Sequence, residues 1–141
     1  MRLWVRARIG AMVGTSGAAV MAAIGIAEGG GGRLLWPDLP FIACAFAGAT
    51  AAGLVLAPFF GRGALRAVLG AVVATLAGAG LGGAAALGLE DPFAGLFLGP
   101  MFVVAWILSS PSVAAAWIAT MALAHLGAES MAPGDAGSPR G

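Results

Sequence analysis

Residues 93–126 read FAGLFLGPMFVVAWILSSPSVAAAWIATMALAHL, a run that contains no Asp, Glu, Lys or Arg. As one helix it would measure about 50 Å at 1.5 Å per residue, far more than the ~30 Å hydrocarbon layer that ~20 residues cross. Ser109-Ser110-Pro111-Ser112 interrupts it near the middle. A serine followed by proline is a helix start, because the hydroxyl suits the N-cap and proline's fixed φ and missing N–H suit the first helical position. The run therefore divides into helices near 92–109 and 111–127. The alternative is a single Pro-kinked fourth helix whose last turns leave the bilayer. Five spans place the tail from Glu129 onward on the side opposite the N-terminus; four place it on the same side.

Three more apolar blocks precede this one: Ile9 to Ala27, Leu39 to Phe60 and Ala64 to Leu89. Each is about the length of one membrane crossing. None alternates with period two, as barrel strands would. The composition agrees: 60% of residues are hydrophobic and 9% charged, against roughly 25% charged in a soluble domain. A chain of this size cannot cover so much apolar surface with a polar shell, so lipid must cover it. The fold expected is all-α, a polytopic transmembrane helix bundle over residues 1–127. Residues 128–141, with little to bury, read as a disordered tail.

Charge placement gives the orientation. Arg2, Arg6 and Arg8 precede the first helix, and Arg62 and Arg66 lie between the second and third. The other side holds Glu28, Arg33, Asp38, Glu90 and Asp91. Cytoplasmic loops collect arginine, so the N-terminus is expected inside, with Trp4 and Trp36 at opposite interfaces. All seven basic residues are Arg, and the abundance of Ala and Gly is the usage of a GC-rich bacterial genome, which points to a bacterial inner membrane. Gly25-Ile26-Ala27 could serve as a signal-peptide cleavage site. The apolar stretch before it is longer than a usual signal core, which favours a retained helix.

Shifting the chain by sixty residues aligns Arg6, Ala7, Gly10, Ala11, Val13 and Thr15 with Arg66, Ala67, Gly70, Ala71, Val73 and Thr75. Asp38 to Pro58 also spans the same interval as Asp91 to Pro111. This is the pattern of a tandem helical-hairpin repeat running in one direction; chance similarity of two Ala/Gly-rich helices is the alternative. Either way, Gly10, Gly14, Ala18 and Ala22 recur every fourth residue in the first helix, as do Gly70, Ala74, Gly78 and Gly82 in the third. Such ridges let helix backbones approach closely, which matters in lipid because no hydrophobic force drives helices together there.

Several chemistries are excluded. One His and one Cys (Cys44) cannot build paired-histidine haem ligation, an iron–sulfur cluster, a disulfide or a metalloprotease motif within the chain. Every acid lies in a loop or the tail, so no carboxylate relay crosses the membrane. No Gly-rich loop is followed by a phosphate-binding Lys. His125 could ligate a macrocycle or donate to a quinone, but reads better as an interfacial residue closing a span. Ser109, Ser110 and Ser112 have no base to activate them and read as caps. Thr15, Thr50, Thr75 and Thr120 are expected to bond back to their own helices. Trp106 and Trp117 are spaced so that they could line a pigment or lipid groove but read better as bilayer-facing, and Gly29 to Gly32 as a flexible tip. The reading is a protein without a catalytic site, metal or cofactor, and with no nucleic-acid partner. Its partners are membrane lipids and other membrane subunits or further copies of itself, which makes it an accessory or assembly subunit. The alternative is a small oligomeric transporter or channel component, for which Gly99-Pro100 offers an interrupted helix with freed carbonyls.

Overall fold

The structure, a computed structural model, describes residues 3–29, 38–60, 63–87 and 91–131. It is all-α, with α1 (Leu3–Glu28), α2 (Leu39–Leu56), α3 (Ala64–Leu87), α4 (Pro92–Ser109) and α5 (Pro111–Ser130). Each is long and apolar enough to cross a membrane.

The helix boundaries follow local chemistry. Helix α1 begins six residues before the apolar block, since exposed Arg6 and Arg8 can continue a helix into the polar interface. Helix α2 gives way to a 3-10 turn at Ala57–Phe59. Pro58 causes this, because it has no N–H for the Leu54 carbonyl and its ring crowds that position. Asp91 caps α4 by accepting the Ala94 N–H at 2.9 Å. Ser110 stands at the N-cap of α5 with Pro111 following, as expected, but its hydroxyl meets that of Ser112 at 3.0 Å and not a backbone N–H. Helix α5 continues to Ser130, three residues into the expected tail, where Ala128 is buried. Residues 132–141 lie outside the described residues, as do Arg2, Gly30 to Gly32, Arg33, Trp36, Arg62 and Glu90.

Glycine contacts show how the helices run. Gly10 lies against Leu54 and Gly17 against Ala45, so α1 and α2 are antiparallel. Gly70 meets Phe59 and Gly82 meets Cys44, so α2 and α3 are antiparallel too. Gly83 meets Gly95 while Gly99 meets Ala79, which makes α4 antiparallel to α3. Helix α5 then returns to α1. Val113 at its start packs with Val20 and Ile24, near the end of α1. Gly127 near its end meets Met12, and Ala124 and Ala128 share a cluster with Val5 and Ile9.

Helix α5 therefore runs antiparallel to α1. Five strictly alternating spans would make these two helices parallel. The chain turns a corner at Ser110, whose backbone is extended (φ −121°, ψ 112°), and α4 and α5 touch little beyond that corner. The split at Ser-Pro is present. The hairpin that would carry the C-terminus to the opposite end is not, and the end of α5 lies beside the start of α1.

Ile9, Val13 and Phe60 are buried in one cluster, and Ile24 and Val113 in a second. The sixty-residue correspondence extends to packing only in part: Gly10 and Gly70 are both buried against the end of α2, but other matched positions differ. Val13 is fully buried while its counterpart Val73 is exposed; Ala11 is exposed while Ala71 is buried. Both small-residue ridges also pack on the same helix, α2, from two sides. In a packed tandem repeat the α3 ridge would face α4.

Candidate functional site

The structure holds a set of close backbone approaches around a small cavity. Glycine matters here because it has no Cβ to hold two helices apart. On α1, Gly10 and Gly14 lie against Leu54, Thr50 and Phe46 of α2. The expected ridge next passes through Ala18, but the contact with Ala45 and Ala49 comes from Gly17, and Ala18 is only half-buried. A strict four-residue step drifts around a helix of 3.6 residues per turn, so an occasional three-residue step keeps the stripe facing its neighbour.

On α3 the ridge stays in register. A Cβ on Gly70 would lie 2.8 Å from Phe59 Cβ, one on Gly78 2.8 Å from Ala49 Cα, and one on Gly82 3.0 Å from the Cys44 carbonyl oxygen; Ala74 between them is fully buried. From α2, Gly48 answers Gly78 and Gly82, and Gly53 answers Val13 and Gly10. A second seam binds the other face of α3 to α4, where Gly83 opposes Gly95 and Gly99 opposes Ala79. Gly95 and Gly99 are a GxxxG pair that sequence reasoning passed over, and their four-residue spacing was the available signal.

Pro100 has no N–H, which frees the Leu96 carbonyl from the helical ladder. That oxygen faces no open cavity: a Cβ on Gly80 would stand 3.1 Å from it. The neighbouring helix covers it and can offer a weak Cα–H···O contact.

All five helices line a cavity of about 40 Å³, through residues that include Gly17, Ala49, Gly78, Val103 and Trp117. That is room for a few waters at most, since each needs ~10–15 Å³, and the lining is almost wholly apolar. Its one polar feature spans the bundle: the Trp117 Nε1–H donates to Thr75 Oγ1 at 2.8 Å. Thr75 in turn donates to the Ala71 carbonyl at 2.7 Å. Trp117 and Trp106 were expected to face lipid. Both are partly buried instead, against Val20, Ile24 and Val113. An indole N–H in a low-dielectric interior needs an acceptor, and Thr75 supplies it. The expectation for the threonines matches the structure, with Thr15, Thr50, Thr75 and Thr120 each donating to the carbonyl four residues back.

The remaining candidates do not assemble into a reactive group. His125 lies in the last turns of α5, with Nε2 3.1 Å from Glu129 Oε1. Ser110 and Ser112 stand at the other end of that helix, about 20 Å away at 1.5 Å per residue, beyond reach as a base–nucleophile pair. Among the described residues no three His, Cys, Asp or Glu side chains gather as metal ligands.

Helix α4 packs on α3 along its glycine seam but buries little else. Gly95 is its one buried residue, while Phe93, Phe97 and Leu108 are 74%, 73% and 82% exposed.

Compared with known proteins, the chain matches no family model, no curated protein and no solved structure.

Proposed function

We propose that this multi-pass membrane protein is an accessory or assembly subunit of a larger membrane complex, without a catalytic site of its own. The observation that carries the proposal is the contrast between α4 and the other helices. Helix α4 packs on α3 through the Gly83–Gly95 and Ala79–Gly99 seam as closely as α2 does, but it buries only Gly95 and turns its large side chains outward. In lipid, a helix becomes selective through shape and close approach, because apolarity alone does not distinguish a protein neighbour from an acyl chain. A bundle that presents a Phe- and Leu-rich helix outward suits a scaffold. The arginine asymmetry supports a bacterial inner membrane with the N-terminus inside. Ile9, Val13 and Ile24 in the core support retention of α1.

The second reading is a small transporter or channel component, favoured by the cavity that all five helices line. Its size and apolar lining weigh against it, as does Gly80 covering the freed Leu96 carbonyl.

Purification of the tagged chain from its native membrane in a mild detergent, with identification of co-purifying proteins, separates the two. An accessory subunit comes out with other membrane proteins in fixed ratio. A transporter comes out alone or as a homo-oligomer, and moves a solute after reconstitution.

A further inference from the structure

The Arg-Ala-x-x-Gly segment occurs twice, at Arg6 to Gly10 and at Arg66 to Gly70. The structure gives this repetition a meaning that a hairpin repeat does not. Gly10 and Gly70 both pack on the last part of α2 and the turn after it, from two sides: Gly10 against Leu54, Gly70 against Phe59. Each arginine lies four residues earlier, on the same helical stripe and about one turn, or ~5.4 Å, further along. The two therefore flank the 3-10 turn Ala57–Phe59 that ends this part of the chain. Both are exposed, and neither has a hydrogen bond or ion pair among the described residues. Arg8 is different, since its guanidinium lies 5.8 Å from the centre of the Trp4 ring, one turn back on the same helix.

Exposed apolar residues neighbour both arginines along their helices. Leu3 is 81% exposed beside Arg6, and Leu65 is 75% exposed beside Arg66, with Val68 and Leu69 also outward. A soluble anion has no use for such neighbours. A phospholipid does, because its phosphate can meet the arginines while its acyl chains cover the leucines. Arginine is the residue best suited to the phosphate, with planar donors that bind two oxygens at once.

We propose that Arg6 and Arg66 form a binding site for the headgroup of an anionic phospholipid, held across the end of α2. The site makes a small-residue clasp on α2 also a lipid-dependent one: an anion bridging the starts of α1 and α3 draws both helices onto α2.

The test titrates the purified full-length protein, in neutral mild detergent, with phosphatidylglycerol, with phosphatidylcholine and with inorganic phosphate, counting bound lipid by native mass spectrometry. Phosphatidylglycerol is expected to bind in preference to phosphatidylcholine and to resist displacement by millimolar phosphate. Arg6→Gln and Arg66→Gln should each weaken it on the order of fivefold, the effect of one interfacial basic residue. Arg6→Lys and Arg66→Lys, which keep the charge and the fold, should lose less. Arg8→Gln should change binding less than twofold. Equal binding of phosphatidylcholine would overturn the proposal. So would displacement by phosphate, which would mean a soluble-anion site. An Arg8→Gln loss as large as the other two would also overturn it, as diffuse charge attraction, and so would unchanged binding in all the variants.

Discussion

The indole N–H of Trp117 and the hydroxyl of Thr75 meet at 2.8 Å, joining α5 to α3 across forty-two residues of sequence. It is a side-chain hydrogen bond that ties two helices together. Interhelical hydrogen bonds in membrane proteins average ~0.6 kcal/mol and reach ~1.7. Trp117→Phe, which keeps the ring, should therefore lower unfolding free energy in detergent by about 0.6–1.5 kcal/mol. Thr75→Val should do the same, and the double variant should be little worse than either single one, because each change removes the same bond. Losses that simply add would show that the bond contributes nothing.

The glycine seams predict a graded series. Gly14→Leu and Gly78→Leu insert a side chain where a neighbouring helix already lies, and overpacking of this kind costs ~1–3 kcal/mol or more. Val73→Leu, on an exposed face, should change thermal stability little. Gly17→Leu should be worse than Ala18→Leu, since the contact with α2 passes through Gly17. Equal losses at all five positions would mean the seams have no special part in packing.

The direction of α5 makes a prediction about sidedness. With Val113 beside Val20 and Gly127 beside Met12, the end of α5 returns to the end of the bundle where α1 begins. A C-terminal alkaline phosphatase fusion should be inactive, and a fluorescent-protein fusion bright, if the N-terminus is cytoplasmic. A stable and active phosphatase fusion would mean that α5 crosses in the opposite sense.

Much of this architecture was legible from composition and punctuation, and the reasons are physical. Lipid demands apolar blocks of set length, and Ser-Pro marks a helix start, so α4 and α5 could be delimited from Ser109 to Ser112 alone. The direction of α5 could not. A single extended residue can join two helices as a hairpin or as a corner, and only the contacts of Val113 and Gly127 with α1 distinguish them. The α3 ridge was legible because Gly70, Ala74, Gly78 and Gly82 keep one face. The α1 ridge was legible only in part, because it steps from Gly14 to Gly17. Trp117 was misread because lipid-facing and interior tryptophans look alike in sequence, and its partner Thr75 lies in another helix.

His125 should prove structural. Its contact with Glu129 is an i, i+4 pair at the end of α5, and such pairs contribute ~0.3–0.5 kcal/mol. His125→Gln should therefore leave assembly and co-purifying proteins unchanged and shift thermal stability only slightly. Loss of a bound chromophore in this variant would instead make His125 a ligand.

An assembly subunit, as proposed, would have the outward face of α4 covered by another membrane protein in the native membrane. A photo-cross-linking amino acid placed at Phe97, and separately at the exposed Val72 of α3, tests this directly in living cells. A discrete protein adduct of higher mass is expected at Phe97 and none at Val72. No protein adduct at Phe97, or the same diffuse products at both positions, would contradict it.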